Sequence, residues 1–169
     1  MAISNLQELF VHGLAEMQDA EERFIEAQKK MLSKASNDTL QSMLKEHIGQ
    51  TSEQLEQIKN LASSLETKLP QATNSVAKTL VEEGEKMIQQ AGDNSALRDV
   101  VIAEAVSKVE HFEIGSYQPL IAAAEQMGHR TAAQKLNGIL QQEEMTAQKV
   151  VKNAPSLLKQ AQSSKEASA

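Results

Sequence analysis

The chain has 169 residues, a net charge of −6 at pH 7 and no cysteine. That length suffices for one domain with a sizeable core, and the acid excess argues against nucleic acid or an anionic membrane as partner. The lack of thiols excludes disulfides, a thiolate nucleophile and any Cys-ligated metal, so a metal site would have to be built from His and carboxylates. Aromatic residues are confined to Phe10, Phe24, Phe112 and Tyr117, which leaves the core to Leu, Ile, Val, Met and Ala and suits helices. The opening MAISNLQELF has no basic stretch followed by an apolar run. No stretch approaches the roughly 20 apolar residues of a membrane span. A cytoplasmic protein with no nucleic-acid or membrane partner is expected.

Helical periodicity runs almost the whole length. Ser4, with Gln7 three residues on, predicts the N-cap of a first helix whose stripe includes Leu6, Phe10, Leu14, Met17, Phe24, Ile25 and Met31. The SND at 36–38 is a short turn with capping residues. A second helix follows on Leu40, Leu44, Ile48, Leu55, Ile58 and Leu65. ETKLPQATNS at 66–75 reads as a loop. A shorter helix over 76–91 stops at Gly92, and a long one runs from Asn94 or Ser95 to Met127 and stops at Gly128. The last helix is expected from Arg130 to Asn153, closed by Pro155, leaving a polar, frayed tail at 155–169 behind a single bundle domain over 1–154.

The turns at 36–38 and 128–129 allow only antiparallel neighbours. The long connection between the second and third long helices can span the bundle, as in the one-crossover arrangement of ferritin-like folds. A plain up-down bundle with a lid helix is the rival arrangement.

Placing each helix at about 100° per residue brings polar residues into the apolar stripes. The first helix offers Glu21, the second His47 with Thr51 beside it and Gln50 on the flank, the third Glu110 and Glu113, and the fourth Glu143 with Glu144 at the edge. Taken singly, His47 is an ordinary core histidine and Glu21 or Glu144 an edge acid reaching solvent. Taken together, and with crossover topology, these residues fall within roughly 12 Å along the bundle axis at 1.5 Å per residue. No Lys or Arg occupies the centre of any stripe. Buried carboxylates without cations must be protonated, hydrated or neutralised by metal, and inward carboxylates with His on facing helices are the ligand set of di-iron and di-manganese bundles.

KVEHFEIGSY at 108–117, with AAEQMGHRTAAQKL, LQQEEMTAQKV and the opening LFVHGLAEMQDAEERF, resembles the YciE/YciF family of ferritin-like bacterial stress proteins over residues 3–153. The resemblance implies an all-α, ferritin-like four-helix bundle with one long crossover carrying a short fifth helix, a homodimer, and a rubrerythrin-like centre of two divalent ions, iron or manganese. Its ligands would be Glu21, His47, Glu110, Glu113 and Glu143, with Gln50 auxiliary and Tyr117, Glu144 and Thr51 around them. Dioxygen or peroxide would be the small oxidant. The pattern departs from the family at HIGQT, residues 47–51, where Gly49 and Gln50 stand in place of acids, and the last helix lacks a Glu-x-x-His. Three functions compete: a redox-active di-metal stress protein, a non-catalytic helical dimer with a degenerate site, and a storage cage.

Overall fold

The computed structural model describes residues 3–166. Five helices occur in the order α1 (Leu6–Lys34), α2 (Asp38–Ser64), α3 (Ser75–Gln90), α4 (Ser95–Gln126) and α5 (Arg130–Glu166), with no strand among the described residues. Asn caps recur at the starts. The side chains of Asn5, Asn37, Asn74 and Asn94 accept from the backbone N–H groups three residues on, satisfying donors that the helix leaves unpaired. The cap of α1 is therefore Asn5, not Ser4. Ser4 contributes by donating its N–H and hydroxyl to Glu8, at 2.9 and 2.8 Å, a capping box shifted by one residue. At the other ends, Gly92 and Gly128 have φ of 57° and 78°, the left-handed geometry that lets a helix stop and the chain turn.

The end of α5 differs from expectation. The helix does not stop at Asn153 but continues through Pro155 to Glu166. Proline removes one intrahelical bond, but Leu157 beyond it is 1% exposed and packs with Leu40, Leu44, Ile102 and Val150. Asn37 also donates to Gln160 at 3.2 Å. Tertiary burial outweighs the proline. Residues 167–169 of the expected tail lie outside the described residues.

The arrangement is the crossover one. The Ser36 backbone N–H and hydroxyl, just past the end of α1, donate to Asp99 near the start of α4, at 2.7 and 2.5 Å. At the opposite end, Gly13 of α1 meets Leu120 of α4, so close that a Cβ would stand 2.7 Å from Leu120 Cδ2. Thus α1 and α4 are antiparallel, and α2 and α4 start from the same end. Around the bundle α1 neighbours α2 and α4, and α5 neighbours α4 and α2, while α3 lies across α1 and α4. Gly84 lets α3 sit close over Ala105 and Met31. Two apolar clusters fill the interior. One gathers Phe10, Leu14, Phe24, Ile58, Leu136 and Ile139, the other Met31, Leu40, Leu44, Ile102 and Val150. No helix among the described residues is long and apolar enough to cross a membrane.

Candidate metal centre

All four long helices send an acid or imidazole into the interior. Glu21, Glu110, Glu113 and Glu143 are 0% exposed and His47 is 2% exposed. Ligand atoms of His47, Glu110, Glu113 and Glu143 lie within 4.8 Å of one another. Glu110 and Glu113 share a face because they are three residues apart on α4. Glu21 stands at the side of this group, where Tyr117 donates its hydroxyl to Glu21 Oε1. On the other flank Gln54 donates to Glu143 Oε1, and to Gln142 at 2.9 Å.

His47 Nε2 lies 2.7 Å from Glu110 Oε1, yet neither atom has a properly aligned hydrogen-bond partner. The same holds for His47 Nδ1, Glu110 Oε2, both oxygens of Glu113, Glu21 Oε2 and Glu143 Oε2. Each is a buried acceptor or donor whose isolation costs about 1–3 kcal/mol. Such atoms converging on one another, rather than pairing, are what a shared cation would resolve.

The electrostatics agree. Burial, then the charge of Glu143, pushes Glu21 up to about 8. Burial dominates again for Glu110, raised to about 8, and for Glu143, raised to about 9 with Glu110 adding repulsion. Glu113 is driven well above the usual carboxylate range by burial and by the charges of Glu143, Glu21 and Glu110. Burial lowers His47, against the pull of Glu143 and Glu21. Burial thus disfavours charge on both partners of the 2.7 Å approach of His47 to Glu110. Without metal the acids hold protons. His47, Glu110, Glu113 and Glu143 together form an oxygen-rich donor set that could hold a metal ion and offers it no thiolate.

Gln50 lies at the margin of the group, its amide bearing on the His47 ring. It is half-buried, donating to Glu46 Oε1 at 3.5 Å and accepting from the Thr146 hydroxyl at 3.5 Å. Glu144, expected at the edge of the site, is exposed: one residue past Glu143 turns it about 100° away from the core. Gly49 is exposed with open space around it, so its departure from the family pattern lies on the surface. Thr51 is buried but serves α2, donating to the His47 carbonyl at 3.0 Å and pairing with Gln28. Sequence reasoning missed Gln28 and Gln54. Their signal was spacing: each lies seven residues, two helical turns, after Glu21 and His47 respectively.

Residues 5–163 match the profile of a family described as a domain of unknown function, DUF892. The chain is 32% identical over 147 residues to protein YciF of Escherichia coli strain K12, covering 86% of this chain and 88% of that one. The crystal structure of the E. coli stress protein YciF superposes with a TM-score of 0.88 at 28% identity, covering 93% of this chain and 99% of YciF. YcfI from Rhodopseudomonas palustris follows at 0.84 and 28% identity, covering 88% of this chain and 94% of that one. With its ferritin-like bundle, and with a family profile and a YciF likeness that both span most of its length, the chain belongs to the YciE/YciF family, DUF892.

Proposed function

We propose that this protein is a stress-response, ferritin-like protein whose buried cluster binds two divalent ions, iron or manganese. The observation that carries the reading is the set of unpartnered buried oxygens on Glu110 and Glu113, with no Lys or Arg among the groups acting on them. Four carboxylates, Glu21, Glu110, Glu113 and Glu143, balance two divalent charges. Ions of this kind would supply redox chemistry toward a small oxidant, dioxygen or peroxide. The chain's own part is to bind, orient and exclude. Tyr117 fixes the rotamer of Glu21, Gln54 fixes Glu143, and the walls of Phe24, Ile58 and Ile139 keep bulk water out, which strengthens every charge interaction inside. The family resemblance implies that the chain pairs into a homodimer.

Metal analysis of protein purified without chelator after iron or manganese supplementation tests the reading. About two ions per chain is the expected result for a ferritin-like carboxylate site, and a metal-free protein that also fails to take up Mn2+ in titration would refute it. One observation favours a second reading, a non-catalytic family member with a degenerate site: Gln50 brings no charge and lies toward Glu46 and Thr146. Binding of metal without consumption of peroxide or dioxygen would select that reading.

A further inference from the structure

The centre is sealed unequally. Glu21, Glu110, Glu113 and Glu143 are 0% exposed, whereas His47 keeps 2%, Gln28 keeps 3% and Thr146, one turn past Glu143, keeps 6%. Of the less sealed residues, Thr146, the most open, lies with His47 at the seam between α2 and α5. Across its surface Lys149 reaches Glu46 at 2.7 Å. Beneath that pair the Gln50 side chain spans the seam through two long contacts of 3.5 Å, to Glu46 and to the Thr146 hydroxyl, and its amide bears on the His47 ring. Further along, Gln54 bridges to Gln142 and Glu143. Its Oε1 is fully buried without a partner, as is His47 Nδ1. The seam thus presents a ladder of oxygens from an exposed carboxylate to the centre, and its middle rung, Gln50, is held only by the two 3.5 Å contacts.

The other approach to the cluster is the crevice under α3 that ends at Gln28 and Glu110. It has room for about one water-sized molecule, and its walls are Phe24, Met31, Leu80 and Val106. A hydrated divalent ion entering there would lose its water with nothing to replace it.

We propose that the α2–α5 seam is the entry path by which a divalent cation reaches the His47–Glu143 side of the centre. Glu46, Gln50 and Thr146 exchange for its waters, and Lys149 is a charged latch over the mouth. This rests on the metal-binding reading above, and extends it to residues outside the cluster.

The probe is Mn2+ added to chelator-stripped protein. Uptake is followed by loss of the free-ion EPR signal and by emission of Tyr117, the single Tyr in a chain without Trp, with final occupancy measured separately. Gln50→Leu and Thr146→Val should each slow uptake by about tenfold, the effect of 1.4 kcal/mol, at unchanged final occupancy. Lys149→Met, a change at an exposed side chain, should accelerate uptake several-fold at low ionic strength, with the gain shrinking as salt is added. Val81→Ala, which opens the apolar crevice, should leave the rate as in the parent. Parent-like rates in all three seam variants overturn the path, as does acceleration by Val81→Ala alone. A fall in occupancy without a change of rate in Gln50→Leu makes Gln50 a ligand and equally overturns it. A parent that binds no Mn2+ refutes the metal reading itself, a result distinct from a parent that loads at a rate the seam does not control.

Discussion

Glu113 is the residue on which the energetics of the centre turn. It is 0% exposed, both its oxygens lack partners, and burial, then three neighbouring carboxylates, raise its pKa. Replacing it with Gln removes a chargeable group that the metal-free fold holds at a cost, and removes a ligand from the loaded one. Glu113→Gln should therefore melt higher than the parent without metal, by about 2–4 °C if the gain is on the order of 1 kcal/mol. It should also respond less to Mn2+. In the parent, metal at a hundredfold excess over its Kd should add about 2.7 kcal/mol. Thermal melts of both proteins with and without Mn2+ decide this, and a Glu113→Gln protein that melts lower in the metal-free state would make the acid an ordinary structural group.

The same residues set a pH dependence. Glu21, Glu110 and Glu143 have folded-state values of about 8, 8 and 9, above the unfolded value near 4.3. Between these limits the folded form binds more protons than the unfolded one, so metal-free stability falls as pH rises, by up to about 1.4 kcal/mol per unit for each proton of difference. His47 acts in the opposite sense. Its lowered value means that the unfolded chain gains a proton first as pH drops below about 6.5, but it is one group against several acids. Denaturant melts from pH 5.5 to 8.5 should show the metal-free protein weakening and the Mn2+-loaded protein gaining relative to it, since ligands must lose protons to bind. Parallel pH profiles would contradict the assignment.

At the scale of the element, α5 shows how burial overrides a local signal. Pro155 is exposed, and the helix passes through it because Leu157 fills the space between α2 and α4. Leu157→Ala should cost about 2–5 kcal/mol, and a chain ended at Ala154 should lose at least as much. Urea melts measure both. A truncated chain as stable as the full one would restore the frayed tail that the sequence suggests. Helix α3 is the contrasting case. It buries only Ala77 and Gly84, so it is held by a narrow strip and serves as a cover over α1 and α4.

For the whole molecule, pairing is the expectation to test. Gly115 on α4 is exposed with open space around it, and Ser116 beside it lines a groove with Leu9, Phe10, Val76 and Pro119. A partner helix could approach closely there. Gly115→Lys should relieve a glycine cost of about 1 kcal/mol within the helix, raising monomer stability, while it places bulk and charge at the contact and shifts the mass in sedimentation from dimer to monomer. A monomer at all concentrations in the parent would remove the dimer.

The sequence by itself determined which residues face inward. Glu21, His47, Glu110, Glu113 and Glu143 stood on apolar stripes because helical periodicity is local, and burial of each stripe follows from it. The breaks at Gly92 and Gly128 were legible for the same reason. Only the tertiary structure decided between crossover and up-down connection, through pairs such as Ser36 with Asp99, because a long linker is compatible with both. It also decided the edges. Glu144 ends on the surface and Gln50 at the margin of the site, because the rotation of each helix about its axis is fixed by neighbours in space. The fate of Pro155 was likewise settled by Leu157 against Leu40 and Leu44, a contact between residues more than a hundred positions apart that no local pattern encodes.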